Sequence, residues 1–360
     1  MDSKTDLPPL LVRADADEVR GTGHVMRSLA LACGWLSRGG QVRFLTCRPN
    51  PRLRERIEGA RADLTEIDEY HPHPADLAAT IAAVKETVAR VKQVPWAVVD
   101  GYHFTTAYQT IVRATGCRLL VIDDNAHLPF YDADVILNHG IHATKLAYSC
   151  PSKARLLLGT AYALLRPEFQ EGAGIARSTT AAARKILVTL GGSDPANATR
   201  KVIEALQQLD IPGLEARIVV GPANPHLKTL NRLISESRWQ IKLETGVQDM
   251  ASLMLWADVA VTASGGTCWE LACLGVPMVS LIAADNQRMI AAELDAAGIS
   301  INLGWHEEVT TMDMAAVLNE ILRSPNRRAQ MSARGKMIAD GRGVTRVIDA
   351  VMEKNCLRAA

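Results

Sequence analysis

The sequence predicts an α/β protein made of two doubly wound domains that face each other across a cleft. Apolar strands alternate with amphipathic helices, glycine-bearing turns join strand to helix in both halves, and a stretch without apolar periodicity separates the halves. Such alternation is typical of parallel sheets covered by helices on both faces. Because these sheets bind ligands at the carboxyl ends of their strands, two facing sheets predict a binding cleft.

The composition suits two domains of ordinary size. Of the 360 residues 48% are hydrophobic, and 40 basic side chains nearly balance 39 acidic ones, so we expect no nucleic-acid partner. Seven scattered cysteines predict reduced thiols. Without a signal-like start or an 18-residue apolar run, we expect a cytoplasmic protein with no stable membrane insertion. We expect a monomer, with a weak dimer as the alternative.

The first domain is predicted over residues 1–165. A strand at Leu10–Val12 leads through a glycine-bearing turn into a helix that carries apolar residues at helical spacing from Val25 to Leu36. The further predicted strands are Val42–Cys47, Leu64–Ile67, Trp96–Val99, Arg118–Ile122, Val135–Leu137 and Leu156–Leu158. The further predicted helices are Pro51–Glu58, Ala75–Gln93 and Thr105–Thr115.

The second domain is predicted over residues 184–360, after a linker at 166–183 that has glycine, proline, serine and alanine but little apolar periodicity. Its predicted strands are Lys185–Leu190, Ala216–Val220, Gln240–Leu243, Asp258–Thr262 and Pro277–Ile282. Its predicted helices are Asn197–Gln208, Gln248–Trp256, Cys268–Leu274 and Arg288–Ala297, with three more near Met312–Arg323, Asn326–Ile338 and Val344–Lys354.

The turn after the first strand, with Gly21, Gly23 and His24, is a candidate anion site. The glycines allow close backbone approach, and the helix start offers unpaired N–H groups. The positive end of the helix dipole favours a neutral imidazole at His24, suited to act as a base. A dinucleotide fingerprint is excluded, because no third glycine completes the G-x-G-x-x-G pattern and no carboxylate ends the next strand. The alternative for His24 is a structural histidine.

Two loops of the second domain have the residues of a diphosphate site. Gly191-Gly192-Ser193-Asp194 and Ser264-Gly265-Gly266-Thr267 each place backbone N–H groups and a hydroxyl at a helix start, which holds phosphate without a metal. Glu270, one turn later, could accept hydrogen bonds from ribose. Alternatively, each loop is a tight turn with a helix cap. The Asp15-x-Asp17 pattern could bind a metal, but we favour a structural or substrate-hydroxyl role for Asp15.

The ordered set of motifs resembles the PseG family, nearly from end to end. These are UDP-2,4-diacetamido-2,4,6-trideoxy-β-L-altropyranose hydrolases of pseudaminic acid biosynthesis, relatives of the MurG glycosyltransferases. The motifs are Leu11-Val12-Arg13-Ala14-Asp15, Gly21-Thr22-Gly23-His24-Val25-Met26-Arg27, Val98-Val99-Asp100-Gly101-Tyr102, Val121-Ile122-Asp123-Asp124, Leu164-Leu165-Arg166-Pro167-Glu168-Phe169, Leu190-Gly191-Gly192-Ser193-Asp194, Ala263-Ser264-Gly265-Gly266-Thr267-Cys268-Trp269-Glu270-Leu271-Ala272, Asp285-Asn286-Gln287 and Asp340-Gly341-Arg342-Gly343.

The resemblance implies a GT-B fold, with two Rossmann-like domains, and an enzyme that hydrolyses a UDP-sugar at its anomeric carbon with inversion. The family's catalytic base matches His24, and its substrate-contacting Tyr and Asn match Tyr102 and Asn286. Its nucleotide site matches Gly191, Gly192, Ser193, Asp194, Ser264, Gly265, Gly266, Thr267 and Glu270. We also expect Asp15, Gly23, Arg27 and Gln287 to contact the substrate. No cofactor and no metal are expected.

Three other functions fit parts of the same pattern. A GT-B glycosyltransferase would use His24 to deprotonate an acceptor. A UDP-sugar 2-epimerase would need further acid and base carboxylates, and a nucleotide-binding module would not explain the histidine at the helix start.

Overall fold

Two parallel β-sheets organise the chain, one in each of two compact units. The computed structural model describes residues 7–17, 21–90, 93–192, 194–221 and 224–353. The first unit comprises residues 1–167 together with 342–360, and the second comprises residues 168–341.

The first unit contains seven strands in the order β3-β2-β1-β4-β5-β6-β7. Its strands are β1 (Leu10–Ala14), β2 (Val42–Cys47), β3 (Asp63–Ile67), β4 (Trp96–Asp100), β5 (Arg118–Ile122), β6 (Val135–Asn138) and β7 (Arg155–Leu158). Its helices are α1 (Gly23–Ser37), α2 (Pro51–Gly59), α3 (Pro74–Arg90), α4 (Thr106–Arg113) and, from the end of the chain, α13 (Gly343–Glu353), with 3₁₀ turns at Ala143–Lys145 and Thr160–Tyr162.

Alternate residues of the central strands fill two separate cores. Leu10 and Val12 of β1 lie in the core shared with α1, α2 and α13, whereas Leu11 lies in the core shared with α3 and α4. All five residues of β1 are buried, Arg13 among them, so the strand does not alternate between buried and exposed side chains.

The second unit contains six strands in the order β10-β9-β8-β11-β12-β13. Its strands are β8 (Lys185–Thr189), β9 (Glu215–Val220), β10 (Gln240–Thr245), β11 (Val259–Ala263), β12 (Met278–Ile282) and β13 (Ser300–Trp305). Its helices are α5 (Pro167–Gly172, which begins at the unit boundary), α6 (Ala198–Gln208), α7 (Leu227–Ser235), α8 (Met250–Trp256), α9 (Thr267–Cys273), α10 (Arg288–Ala296), α11 (Thr311–Arg323) and α12 (Pro325–Ile338), with a 3₁₀ turn at Asp285–Gln287.

Each sheet has one position where the strand order reverses. In the first unit it lies between β1 and β4, and in the second between β8 and β11. Loops that leave the carboxyl ends of such strands diverge to opposite sides, which opens a crevice for ligands. The loops that follow these four strands carry most of the predicted site residues.

The unit boundaries differ from the predicted domains in two places. The predicted second domain includes residues 343–353, but α13 belongs to the first unit, where Val347 and Ile348 are fully buried. The predicted linker contains α5, whose Phe169 is fully buried and accepts a hydrogen bond from the Cys273 thiol. Six residues are too few for helical periodicity to be recognised in the sequence.

Candidate active site

His24 is the second residue of α1 and faces the end of β4. Its Nδ1 lies 2.7 Å from an Oδ1 of Asp100, the fully buried last residue of β4. Ala14, at the end of β1, is the register partner of Asp100, so the turn into α1 brings the imidazole back to the neighbouring strand. In the described part of the chain, Nε2 of His24 has no hydrogen-bond partner, and 13% of the side chain is exposed.

Asp100 is held as a carboxylate. Arg27 donates to it through Nε (2.8 Å) and Nη2 (2.7 Å), and the Ser28 hydroxyl donates at 2.9 Å. Burial by itself raises the pKa of this carboxyl, but the charges of Arg27 and His24 outweigh it and lower the pKa to about 2. An ionised Asp100 accepts from the Nδ1–H of His24, so in the neutral imidazole the Nε2 lone pair points away from it.

Arg27 connects this pair to a second carboxylate. Its Nη1 donates to Asp124 at 2.6 Å, and the same oxygen of Asp124 accepts from the Tyr102 hydroxyl at 2.7 Å. The Tyr102 ring meets the His24 ring edge to face, with centroids 4.8 Å apart. The sequence assigns Arg27 to substrate, whereas in the structure all three of its nitrogen atoms donate to carboxylates, because both strand-end aspartates lie within reach of one guanidinium.

Asp15, for which the sequence predicts a structural or substrate-hydroxyl role, has a fully buried side chain. Both of its oxygens accept from Arg13, at 2.5 and 2.8 Å, and one accepts the Cys47 N–H at 2.8 Å. The other lies 3.1 Å from Nε2 of His103, whose side chain is 17% exposed. The ionic group is therefore enclosed, and His103 is the member of this cluster that reaches the surface.

The α1 N-terminus itself is open. Gly23, its first residue, is exposed, and a Cβ built there meets no atom within 4 Å. Thr22, the N-cap residue, makes no side-chain cap. The first N–H groups of this helix therefore have no capping side chain among the described residues, as a ligand-binding helix start requires.

In the second unit, Asp194 caps α6 and does so with both oxygens. They accept the N–H groups of Ala198 and Thr199, each at 2.9 Å. Gly191 and Gly192 before it are exposed. Ser193 lies outside the described residues, so its predicted phosphate contact has no structural counterpart here. The sequence predicts that N–H groups at the start of α6 bind phosphate. In the structure, two of these groups already donate to Asp194.

In the loop between β11 and α9, one of the four predicted residues is buried and the other three are accessible to solvent. Ser264 is fully buried, and its Oγ donates to the Leu281 carbonyl at 3.1 Å, so it stabilises the strand end. Gly265 and Thr267 are half-buried and Gly266 is exposed. Glu270, in the first turn of α9, is half-buried.

The 3₁₀ turn after β12 lies beside this loop. A Cβ built on Gly265 would be 3.8 Å from Nε2 of Gln287, and Oε1 of Gln287 accepts the Ala283 N–H at 2.9 Å. Asn286, next to it, is exposed. The structure therefore brings together the predicted residues Gly265 and Gln287, which are 22 positions apart.

Three residues of the first-unit network were not predicted as site residues: Asp100, Asp124 and His103. Each lies at or just after the end of β4 or β5, and that position was the signal available in the sequence. Among the residues that the structure describes, no group of three or more His, Cys, Asp or Glu side chains is placed to hold a metal ion. Nor does any described helix combine the length and apolar character needed to cross a bilayer.

The chain is similar to several known proteins. Residues 186–342 match the glycosyltransferase family 28 C-terminal domain. The spore coat polysaccharide biosynthesis protein SpsG of Bacillus subtilis is 30% identical over 238 residues, 66% of this chain and 70% of that protein. The UDP-2,4-diacetamido-2,4,6-trideoxy-β-L-altropyranose hydrolase of Campylobacter jejuni is 23% identical over 295 residues, 81% of this chain and 98% of that protein.

The fold has counterparts among solved structures. The crystal structure of MurG from Acinetobacter baumannii superposes with a TM-score of 0.66, covering 96% of this chain and 100% of that chain at 18% identity. This likeness shows the fold, a GT-B fold with two Rossmann-like domains, and confirms the predicted class of two doubly wound α/β domains.

Proposed function

The chain belongs to the family of the spore coat polysaccharide biosynthesis protein SpsG, and we propose that it is an enzyme that hydrolyses a UDP-sugar at the anomeric carbon. For the sugar we propose UDP-2,4-diacetamido-2,4,6-trideoxy-β-L-altropyranose, the substrate in the name of the Campylobacter jejuni relative. The products are then UDP and the free 2,4-diacetamido-2,4,6-trideoxy-L-altrose.

The observation that carries the proposal is the His24–Asp100 pair. An imidazole whose Nδ1–H is held by a buried carboxylate at 2.7 Å presents Nε2 as a general base. Water gives its proton to Nε2 while its oxygen bonds to the anomeric carbon, and the bond from that carbon to the diphosphate oxygen breaks. UDP leaves with the electron pair, and His24 returns the proton to solvent.

The charges around His24 support this step. Asp100 and Asp124 are both carboxylates: burial raises the pKa of each, but nearby charges, above all that of Arg27, and hydrogen bonds together outweigh it and lower the pKa. Two negative charges and one guanidinium leave one negative charge uncompensated, and the imidazolium that forms during proton transfer brings the cluster to neutrality. The network is thus preorganised for the charge that develops in the reaction.

We propose that the nucleotide binds to the second unit, which carries the family 28 C-terminal domain. The accessible backbone of Gly191, Gly192 and Gly265–Thr267 would hold the diphosphate, and Glu270 the ribose. Asn286 and Gln287 would contact the sugar. Because the side chains of Asp194 and Ser264 already form hydrogen bonds with backbone groups of the protein, we propose that they support these loops and do not contact the ligand.

The second candidate function is glycosyl transfer from the same kind of donor. The family 28 domain and the MurG-like fold favour it. In that reaction Nε2 of His24 takes its proton from an acceptor hydroxyl instead of from water, and the rest of the network is unchanged.

The test is incubation with a panel of UDP-sugars in ¹⁸O-labelled water. Hydrolysis at carbon is expected to release UDP without an added acceptor, to place the label on the anomeric hydroxyl and to leave UDP unlabelled. UDP release only when an acceptor alcohol is added would establish the transferase. Label in UDP would show attack at phosphorus and overturn the mechanism.

A further inference from the structure

A second histidine–aspartate pair lies at the same sheet edge, with the partners exchanged between the same two strands. His24 follows β1 and pairs with Asp100 at the end of β4. His103 follows β4 and pairs with Asp15 directly after β1, with Nε2 and Oδ2 3.1 Å apart. Because β1 and β4 are neighbours where the strand order reverses, both pairs flank the ligand-binding position of this fold.

Beneath His103 is a buried ionic cluster. Arg13 binds both oxygens of Asp15 and also donates through Nε to Asp76 at 3.0 Å, and all three side chains are at most 2% exposed. Burial alone raises the pKa of Asp15, but hydrogen bonds from His103 and Arg13 outweigh it and lower the pKa well below its ordinary value. Asp15 is therefore a carboxylate, and the Nε2–H of His103 donates to it.

This leaves Nδ1 of His103 available to a ligand. It has no hydrogen-bond partner in the described ranges, and the side chain is 17% exposed. Gly101 borders this edge of the ring, since a Cβ built there would lie 2.9 Å from Nδ1. The glycine thus keeps the edge uncovered.

A purely structural role does not require His103. The link from β1 to α3 is made by Arg13 and Asp76, without the imidazole. Asp15 already has two bonds from Arg13 and one from the Cys47 N–H. The histidine adds a fourth partner to a satisfied carboxylate, and its own Nδ1 has no partner among the described residues.

We propose that His103 determines sugar specificity, its Nδ1 accepting a hydrogen bond from a hydroxyl or acetamido N–H of the nucleotide sugar. The inference rests on the proposed function, in which the nucleotide belongs to the second unit and the anomeric carbon to His24. The remaining polar groups of the sugar are then those that the first unit must recognise. His103 binds but does not take part in proton transfer.

Two variants separate ligand contact from support of Asp15. An asparagine places its amide near the position of Nδ1, and a glutamine places its amide near that of Nε2. His103→Asn therefore keeps a polar group for the sugar and loses the bond to Asp15, whereas His103→Gln does the reverse. Both are made in a His24→Ala background so that the ligand is not consumed.

Calorimetry with UDP and with UDP-2,4-diacetamido-2,4,6-trideoxy-β-L-altropyranose supplies the readout. His103→Gln is expected to bind the UDP-sugar about 5- to 10-fold more weakly, His103→Asn within about twofold of the parent, and UDP equally in all. His73→Gln, the same change at an exposed histidine, is the control.

The opposite ranking, or equal affinities in both variants, overturns the inference while the proposed function stands. Since binding rather than turnover is measured, a transferase gives the same pattern. Failure of the unsubstituted chain to bind either ligand rejects the proposed function and this inference together. Thermal unfolding of both variants shows whether the fold is kept.

Discussion

The carboxyl edges of the two sheets carry opposite kinds of chemistry. In the first unit they carry aspartates and histidines that are bound to one another and to buried arginines, as in the chain from His24 through Asp100 and Arg27 to Asp124. In the second they carry glycines and hydroxyls, and the acidic residue of the first loop, Asp194, is used to cap a helix.

This difference shows that one topology supports two kinds of site. A side-chain network fixes charges within a few tenths of an ångström and suits the breaking of a bond. A glycine-rich edge offers backbone donors and room, which suits an anion. If the bond is cleaved at the first edge and the nucleotide binds at the second, substitutions at one edge should change turnover and substitutions at the other should change UDP affinity. Four such tests follow, from the largest expected effect to the smallest.

Removing the base should have the largest effect. His24→Ala is expected to lower turnover by about 100-fold or more, because the proposed general base is lost, while UDP affinity stays within about twofold if UDP binds the other edge as proposed. Steady-state kinetics and calorimetry measure the two quantities. His73→Ala, on an exposed loop, is the matched control. A large loss of UDP affinity in His24→Ala would reverse the assignment of the two edges.

The next effect tests whether Arg27 positions His24 or binds substrate. Arg27→Gln is expected to lower turnover about 10- to 100-fold, because Asp100 and Asp124 lose their shared partner. The His24→Ala, Arg27→Gln double variant should be no slower than His24→Ala alone. Arg27→Lys, which keeps the charge but not the two-sided contact, should recover only part of the activity. Additive losses would mean that Arg27 contacts substrate itself.

For the glycine edge, Gly266→Ala is the sharpest change. A Cβ at Gly266 meets no atom within 4 Å, so the fold should tolerate it, whereas a diphosphate close to the backbone would not. UDP affinity is expected to fall about tenfold, roughly the effect of losing one charge-assisted hydrogen bond. Gly174→Ala is equally open and lies in the same unit away from the strand ends. Equal UDP binding in both variants would remove this loop from the nucleotide site.

The smallest expected effect tests whether Asp194, in the loop before α6, contacts the nucleotide or only caps the helix. Asp194→Ala removes the acceptor of two N–H groups, so the free energy of unfolding should fall by about 1 kcal/mol in denaturant titration. UDP affinity should stay unchanged, because those donors were never available to phosphate. An appreciable change in UDP affinity would return Asp194 to the nucleotide site, as the sequence predicts.

The sequence predicts the strand–helix alternation and the parallel sheets well, because buried parallel strands contain short apolar runs such as Leu10–Val12. It cannot predict which aspartate meets His24. Asp100 is 76 positions away, and only the register of Ala14 against Asp100 brings the two together. The order of strands in a sheet is set by tertiary packing, and the spacing of apolar residues along the sequence does not specify it. For the same reason the sequence does not show that Arg27 pairs with two carboxylates or that Asp15 pairs with a guanidinium.

Because α13 belongs to the first unit, the two units are not completed in the order in which their synthesis begins. Its apolar face supplies Val344, Val347 and Ile348 to the core of the first unit, so close to α1 that a Cβ on Gly34 would lie 2.3 Å from Val344. The second unit is contiguous in sequence, whereas the first, although begun earlier, needs α13, which is translated after the second unit. The unit that contains His24 therefore acquires its full core after the second unit has been synthesised, and a nascent chain that ends at residue 341 would lack the part of the first core that α13 supplies.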